Sequence, residues 1–444
     1  MAKTFRPFVP EQTFLFPPSL LEFVPADHPA HFVRNLVCES LDLSEIYAAY
    51  FEERGFPPYH PAMMTALLLY AYSLGIYSSR RIARACVDRV DFFAATGMQK
   101  PDFRTISDFR KRHLKSLENL FVQVLELCRE AGLVSLGHVA LDGTKVQANA
   151  SKRKAMSYKR MNERERELSA KVSKWLADAE AVDAAEDEEL GDKRGDELPD
   201  WVANDKARLE KIRAAKAALE AEAKANADEE KERAEKDPKA PRVDHSKKWW
   251  TKDGKVKPKA QRNFTDPQSR IMKSSDGFLQ GYNGQIAVDS KAQIIVAHHL
   301  LNEQTDMTSL PILLAQIKAN TGRQAREISA DSGYCSEANL GECARRGINA
   351  FIAIGRQQHG KPVPESGRAA PEPESRRGRM LAKLRRAGYR SRYRMRKKTV
   401  EPVFGQMKEA RRFRRFLLRG LEKVRSEWSL ICTAHNLAKL ATFA

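Results

Sequence analysis

The sequence predicts an α/β protein in which helices flank a mixed β-sheet. Three patterns support this fold class. Apolar residues recur at helical spacing over residues 27–133, short apolar strands alternate with helices after residue 276, and the intervening segment 153–262 is rich in alanine and charge. At 444 residues, 42% of them hydrophobic, the chain has enough material for two or three domains with a sizeable core. We therefore expect a helical N-terminal domain, a sheet domain and a helical-hairpin insertion.

The net charge indicates a polyanionic partner. The formal charge is +19 and the pI is about 9.6, so the field of the whole protein attracts polyanions, of which nucleic acid is the first to suspect. Solubility or attraction to an anionic membrane surface could also explain a basic balance. The six cysteines are scattered without a Cys-x-x-Cys pair, which argues against structural zinc and disulfides and fits a reducing cytoplasm.

Targeting and membrane segments are not expected. The N-terminal stretch MAKTFRPFVPEQ lacks the apolar core of a secretory signal. The most apolar stretch, from Ala62 to Ile76, has about fifteen residues, fewer than the roughly 20 that a membrane span needs. We interpret this stretch as a buried helix, and we expect no membrane partner.

The N-terminal helices carry arginines that could face phosphates. Pro61 stands where a helix prefers its first residue, and Thr105 and Asp108 form a capping-box pattern for a later helix. In SSRRIARACVDRV the apolar positions interleave with arginines, which predicts a helix-turn-helix-like unit. The arginines assigned to DNA binding here are Arg80, Arg81 and Arg84. A packing domain with a solvated basic face is the alternative.

An apolar strand that ends in a carboxylate follows these helices. In HVALDGT the strand is expected to end at Asp142, beside Gly-Thr, with KVQANA as its continuation. Residues 153–262 contain two charged helices that predict an antiparallel hairpin inserted into another domain. A flexible charged linker is the alternative, and the part AEDEELGDKRGDELPD is expected to be one.

After residue 276 strands alternate with helices. GYNGQIAVD and AQIIVAHHLLN are expected to form a hairpin that turns at Ser290 and Lys291. A helix, a strand in REISADSGY, a second helix and a strand in NAFIAIG follow, which indicates a mixed sheet. Residues 356–378 are expected to form a loop. Residues 376–425 contain roughly twenty Lys or Arg against three acids, more than a solvated helix face requires.

Two aspartates are candidates for a metal site. Asp331 in REISADSGY repeats the arrangement around Asp142, a short strand followed by an aspartate and a nearby glycine. Carboxylates at one edge of a sheet repel each other unless a cation lies between them. Mg²⁺ suits such hard oxygen ligands, and two ions can activate a nucleophile and stabilise a leaving oxygen. Asp306 and Asp289 are backup acids that we interpret as cap or turn residues.

A third acid is expected from the basic C-terminal region. Glu401 is isolated among cations, and Lys408, seven residues later, would share its face on a continuous helix. Pro402 implies that this helix either starts near Thr399 or bends. A lysine beside a metal-binding glutamate could hold a phosphate group.

These motifs resemble the DDE transposases of bacterial insertion sequences. The order of acids in VALDGT, ADSGY and VEPVFGQMK resembles the Asp-Asp-Glu triad of that family. The stretches PDFRTISDFRKRH, TDPQSRIM, GYNGQIAVD and NEQTDMTSLPILL are also similar to family sequences, so the resemblance spans nearly the whole chain. It implies a DNA-binding domain in residues 1–133 and an RNase-H-like catalytic domain in residues 134–443, with the insertion at 153–262.

The resemblance also implies the metal ligands. Asp142, Asp331 and Glu401 would be the catalytic residues and would bind Mg²⁺ or Mn²⁺ as two ions, and Tyr334 would belong to the Asp-x-Gly-Tyr motif. The family's Tyr-x2-Arg-x3-Glu pattern is shifted in this chain. The basic residues assigned to DNA binding around Glu401 are Lys408 of the Glu-x6-Lys pattern, Arg396 and Lys397.

The activity implied is that of a transposase. Such a protein binds the terminal inverted repeats of its own element, cleaves the DNA in a metal-dependent step and joins the freed 3′ end to target DNA. Double-stranded DNA would be the partner, the active complex would contain a homodimer or a larger assembly, and the place of action would be the bacterial cytoplasm, on the nucleoid. A nuclease of the same fold that cuts without joining and a non-catalytic DNA-binding protein derived from a transposase remain alternatives.

Overall fold

A computed structural model describes the greater part of the chain. The described residues are 19, 23–50, 57–190, 200–236, 245–246, 248–274, 277–355, 374–387 and 391–443, without the side chains of 175, 176, 178–190 and 200–203. They form a mixed sheet with helices around it. The predicted α/β class is therefore confirmed.

Helices occupy the chain before the sheet. In the described part they are α1 (Pro29–Glu39), α2 (Ser44–Tyr47), α3 (Pro61–Ser73), α4 (Ser79–Asp88), α5 (Val90–Thr96), α6 (Phe103–Arg112) and α7 (Leu114–Glu130). Pro61 is the first residue of α3, as predicted. The predicted capping box is wrong, because Asp102 caps α6 by accepting hydrogen bonds from the Arg104 and Thr105 amides at 2.7 and 3.2 Å.

The apolar helix α3 is buried on all its sides. Every residue from Pro61 to Tyr72 is buried, and α3 packs against α1, α5 and the C-terminal helix α14 (Leu421–Leu440). Such all-round burial explains why this helix has no polar face. Among the described residues, no helix combines the length and the apolar character that a bilayer-spanning segment requires.

The main sheet has six strands in the described part of the chain. They are β1 (His138–Gln147), β4 (Arg270–Ser274), β5 (Gly277–Asp289), β6 (Ile295–Leu301), β7 (Glu327–Ala330) and β8 (Asn349–Ile352). The order is β4-β5-β1-β7-β8, and β6 pairs with β5. β5 is antiparallel to β1, β4 and β6, whereas β1, β7 and β8 are mutually parallel neighbours. The predicted mixed sheet is confirmed, and the two helices predicted between its last strands are α10 (Ser309–Thr321) and α11 (Glu337–Arg345).

Two details of the strands differ from the prediction. The expected continuation in KVQANA forms as far as Gln147, because β5 pairs with β1 over its whole C-terminal half, so Asp142 lies inside β1 and not at the end of a strand. The predicted β5–β6 hairpin forms, yet its turn is longer than Ser290 and Lys291, since β6 begins only at Ile295.

Two long helices lie between β1 and β4. The short strand β2 (Ala155–Ser157) leads into α8 (Tyr158–Leu190), and α9 (Asp200–Lys236) is followed by β3 (Gln261–Asn263), which pairs with β2. The part AEDEELGDKRGDELPD was expected to be a linker, but its first six residues belong to α8, and residues 191–199 lie outside the described part.

A small separate core and ion pairs hold these helices. The core contains Leu168 of α8 and Ile212 and Leu219 of α9. Glu222 of α9 forms ion pairs with Arg262 at 3.2 Å and Arg270 at 2.5 Å, and Arg270 belongs to β4. The base of the two helices is thereby attached to the main sheet.

The basic C-terminal region is helical in most of its described parts, with a non-helical stretch over residues 411–420. Its helices are α12 (Arg376–Ala387), α13 (Met395–Gly405) and α14, and a π-helical turn, Gln406–Ala410, follows α13. The predicted loop 356–378 is wrong at its C-terminal end, where α12 begins at Arg376, and residues 356–373 lie outside the described part.

Pro402 lies inside α13 and does not end it. The helix begins at Met395, four residues before the expected start near Thr399. Proline has no amide hydrogen to donate to the carbonyl four residues before it, and here the side chain of Gln293 donates to that carbonyl, Lys398 O, at 3.0 Å. The π-helical turn also means that Glu401 and Lys408 do not lie on one regular α-helix.

One hydrophobic core joins the N-terminal helices to the sheet. Helix α14 packs against α7 and α3 on one side and against β6 on the other. The segment after the π-helical turn also contacts α3, because the Arg411 guanidinium donates to the Ser73 carbonyl at 3.0 Å. The N-terminal helices are therefore packed as part of the same body as the sheet.

Substitution of Gly75 tests how much this junction contributes to stability. Gly75 follows α3 with a φ of +78°, and a Cβ there would lie 2.5 Å from the backbone oxygen of Arg411. We expect Gly75→Ala to lower the free energy of unfolding by at least about 2 kcal/mol, since it combines left-handed backbone strain with a backbone clash. Urea denaturation measures this. In the control Gly97→Ala the φ is +60° with no atom within 4 Å, so an equal loss in both variants would show that the contact with Arg411 has no importance.

Candidate functional site

Asp142 lies where two strands separate. β1 pairs with β7 only as far as Ala140, opposite Ser329, and the Asp142 side chain follows two residues later. Its Oδ1 accepts a hydrogen bond from the Gly143 amide at 2.9 Å, and its side chain is only 14% exposed. The rigid centre of the sheet thus holds this carboxylate in place.

Asp331 follows β7 at the same edge of the sheet. β7 ends at Ala330, and Asp331 caps a short 3₁₀ turn by accepting a hydrogen bond from the Gly333 amide at 2.9 Å. Because β1 and β7 are parallel, their residues beyond the last pair point past the same edge. Asp142 and Asp331 are close enough for the charge of Asp331 to raise the pKa of Asp142.

Arg396 connects Asp142 with Glu401. Arg396 and Glu401 belong to α13, which packs against β1, the strand that carries Asp142. The Arg396 guanidinium contacts Asp142 Oδ2 at 2.6 Å and Glu401 Oε1 at 2.9 Å. The Arg396 side chain is 17% exposed and Glu401 is 44% exposed. An arginine that the sequence assigned to DNA binding therefore lies between two of the three expected metal ligands.

Asp306 also reaches this edge of the sheet, although the sequence indicated only a cap or turn residue. Its backbone lies in a turn before α10 (Ser309–Thr321), as expected, but its side chain reaches the sheet edge. Its Oδ1 accepts hydrogen bonds from Asn283 Nδ2 at 2.6 Å, Gln285 Nε2 at 2.7 Å and Lys145 Nζ at 3.1 Å. Two amides at alternate positions of the apolar strand GYNGQIAVD were the available signal.

Asp142, Asp306 and Asp331 form what we call the carboxylate cluster. Burial is the largest cause that raises the pKa of Asp142 to about 7, and the charges of Asp331 and Asp306 raise it further against the opposing effect of Arg396. Burial likewise raises the pKa of Asp331, with Asp306 as the next cause. Buried like charges near one another favour proton or cation uptake.

The other predicted binding residues lie in different places. Lys408 is half-buried in the π-helical turn and its Nζ donates to the Lys145 carbonyl on β1 at 3.4 Å, so it lies beside the sheet edge. Lys397 is exposed on α13. The three predicted arginines of the N-terminal helices are exposed on α4, which packs against α5 and α6 and carries no cluster residue: Arg80, Arg81 and Arg84.

The donor chemistry suits a divalent cation, although the side chains do not yet surround one point. In the described residues no group of three or more His, Cys, Asp or Glu side chains is arranged to hold a metal ion. A Cβ at Gly333, however, would lie 2.9 Å from Asp306 Oδ2 and 3.0 Å from Asp331 Oδ1. Two carboxylate oxygens thus line a gap that only glycine leaves open, and carboxylate oxygens are the ligands that Mg²⁺ prefers.

The raised pKa of Asp142 predicts the pH dependence of stability. Its folded-state pKa of about 7 exceeds the ordinary 3.8, so between these values the folded protein binds more protons than the unfolded chain and stability falls as pH rises. Without divalent ions, we expect the free energy of unfolding of wild type to fall by a few kcal/mol, relative to that of Asp142→Asn, as the pH rises from about 4 to about 7. Urea denaturation of both proteins in EDTA measures the difference, and a difference that does not change with pH would contradict the prediction.

Comparison with known families identifies two transposase domains in this chain. Two family models match the chain: a Transposase domain (DUF772) over residues 18–112 and a Transposase DDE domain over residues 242–437. This chain belongs to the DDE-type transposases. The DDE-domain match includes Asp306, Asp331, Glu401 and Lys408 of the transposase, whereas Asp142 lies between the two matched segments. No curated protein and no solved structure matches the chain.

Proposed function

We propose that this transposase binds the terminal inverted repeats of its insertion sequence, cleaves the DNA in a metal-dependent step and transfers the freed 3′ end to target DNA. The observation that carries the proposal is the gathering of Asp142, Asp331 and Glu401 near the place where β1 and β7 separate, from three separate segments of the chain. The family match supports the same activity.

We infer that the sheet belongs to an RNase-H-like core. Central β1, antiparallel β5 on one side and parallel β7 and β8 on the other support this inference. In this scheme residues 134–443 form the catalytic domain, residues 1–133 form the DNA-binding domain, and 153–262 is an insertion that contacts DNA or a partner subunit. An acidic side chain on a central strand is held in place by the pairing on both sides of that strand, which gives it the rigidity that catalysis requires.

The proposed ligands for the metal are Asp142, Asp331 and Glu401. Divalent ions, Mg²⁺ or Mn²⁺ and most simply two of them, would activate the attacking hydroxyl and stabilise the leaving oxygen. Asp142 and Glu401 can serve only when Arg396 leaves them, because its guanidinium now contacts both. Released from the carboxylates, Arg396 becomes available for a DNA phosphate, the role that the sequence predicted for it.

Double-stranded DNA is the proposed partner. The charge of +19 supports attraction to the phosphate backbone, and the proposed contacts are Lys408, Lys397 and Arg396 near the site and Arg80, Arg81 and Arg84 on α4. Bringing two element ends together requires at least two copies of the protein, so we propose a homodimer or a larger assembly on DNA. The bacterial nucleoid is then the proposed place of action.

The ion pairs of Arg396 favour one second candidate. A protein whose Arg396 permanently neutralises Asp142 and Glu401 would bind DNA without cutting it. Such a non-catalytic DNA-binding protein differs from a transposase in one measurable property, which is metal-dependent chemistry.

The experiment is a nicking and joining assay. A duplex that carries the sequence flanking the gene is incubated with the full-length protein in Mg²⁺ or in EDTA, together with a plasmid target. We expect nicks with free 3′ ends and joined products in Mg²⁺ alone. Cutting without joining would identify a nuclease, and binding without cutting would identify the non-catalytic alternative.

A further inference from the structure

Asp306 is held by a polar network that fixes its orientation. Its Oδ1 accepts three hydrogen bonds, from Asn283, Gln285 and Lys145. Asn283 and Gln285 are completely buried on β5, and Gln285 also donates to Asn283 Oδ1 at 2.9 Å and accepts from the Tyr334 hydroxyl. Buried amides are costly unless fully hydrogen-bonded, so this network specifies one position for the carboxylate.

The remaining oxygen of Asp306 faces the cluster. Oδ2 of Asp306 and Oδ1 of Asp331 both lie within 3.0 Å of the position that a Cβ on Gly333 would occupy. A Cβ on Gly143, the neighbour of Asp142, would lie 2.9 Å from Asp306 Oδ1. The Asp306 carboxylate thus approaches the backbone at two glycines, Gly143 directly after Asp142 and Gly333 two residues after Asp331.

The charges at this corner of the sheet are not balanced. Within the described residues, the cations in ion-pair contact with the three aspartates of the cluster are Arg396, on Asp142, and Lys145, on Asp306. Three carboxylates therefore face two cations, and Arg396 is shared with Glu401. A mobile divalent cation between Asp306 and Asp331 would supply the missing charge.

We propose that Asp306 is a fourth carboxylate of the transposase site and that its Oδ2, together with Asp331, binds the divalent cation. This inference rests on the proposed metal-dependent function. The alternative is that Asp306 serves only as the counter-ion of Lys145. In that case Asp306 Oδ2 would not bind a cation, and metal uptake would not depend on the space left at Gly333.

The test measures metal binding without DNA and without turnover. Mn²⁺ is titrated calorimetrically into the full-length protein and its Asp306→Asn variant, which retains an oxygen for the Asn283 and Gln285 amides but loses the charge. We expect the Kd for Mn²⁺ to rise at least about tenfold, the scale for disturbing a metal site, with no fall in the Tm of the metal-free protein. A lower Tm with an unchanged Kd would overturn the proposal in favour of the counter-ion role.

A second variant and a control complete the test. Lys145→Gln removes the cation that now contacts Asp306, so Mn²⁺ should bind more tightly to it; an unchanged Kd would contradict the proposal. Asp266→Asn is the matched control, because Asp266 is a buried carboxylate whose Oδ1 accepts from the Tyr282 hydroxyl of β5 at 2.8 Å and from the Gly420 amide at 3.3 Å. Its Kd should equal that of wild type.

The same titration separates the inference from the proposed function. If Asp142→Asn and Asp331→Asn weaken Mn²⁺ binding and Asp306→Asn does not, the proposed function stands and the role of Asp306 is refuted. If none of the three variants changes the Kd, the metal site itself is wrong.

Discussion

Asp142→Asn is expected to reduce Mg²⁺-dependent DNA cleavage by roughly a thousandfold or more while DNA binding stays nearly the same. Asparagine keeps the size of the side chain and the hydrogen bond from Gly143, but it removes the negative charge that would hold a cation. A bound metal ion contributes several kcal/mol of transition-state stabilisation, and about 4 kcal/mol corresponds to a thousandfold in rate. Nicking of a DNA duplex that carries an end of the element measures cleavage, and an electrophoretic mobility shift at fixed salt concentration measures DNA binding.

Asp331→Asn and Glu401→Gln are expected to have the same effect. Asp289→Asn is the matched control: Asp289 is a buried carboxylate at the end of β5, paired with Val139 near the start of β1, and it accepts from the Leu136 amide at 2.7 Å. The control should cut DNA at the wild-type rate, provided that its Tm shows it to be folded. Full cleavage by any of the three site variants would remove that residue from the site.

The sequence predicted most of the elements that carry the site. Alternating strands and helices after residue 276 predicted the sheet. The repeated strand-aspartate pattern predicted that Asp142 and Asp331 lie near each other, because parallel strands place corresponding residues at one edge. These features depend on local periodicity, which the sequence displays directly. The sequence pattern did not show that Asp142 lies inside an unbroken β1, since the passage of this strand through Gly143 and Thr144 depends on pairing with β5.

The parts that could not be predicted depend on long-range contacts. Asp306 is distant in sequence from Lys145, and only the folded sheet brings them within 3.1 Å. Arg396 was assigned to DNA because it lies in a basic segment, and its contact with Asp142 joins residues more than 250 positions apart. Pro402 suggested a helix end, but Gln293, in the β5–β6 turn, satisfies the carbonyl that the proline leaves free.

Arg396→Gln is expected to destabilise the metal-free protein at about pH 8 by roughly 3 kcal/mol. Asp142 has a pKa of about 7 and is therefore mostly ionised at that pH, and a buried charge that loses its partner is costly. Partial protonation of Asp142 in the variant limits the loss. Urea denaturation in EDTA measures the free energy of unfolding. The matched control is Arg84→Gln, which breaks the exposed ion pair with Asp88 and should have little effect.

Unfolding measured with and without Mg²⁺ tests whether Arg396 and the metal ion neutralise the same carboxylates. If the guanidinium and the cation neutralise the same carboxylates, they compete, and removal of Arg396 leaves Asp142 and Glu401 available for the ion. An ion that binds only the folded protein stabilises it according to its Kd, so Mg²⁺ should raise the free energy of unfolding more in Arg396→Gln than in wild type. An equal gain in both proteins would mean that arginine and metal use different groups, and Asp142 would then have to be paired with Arg396 during cleavage as well.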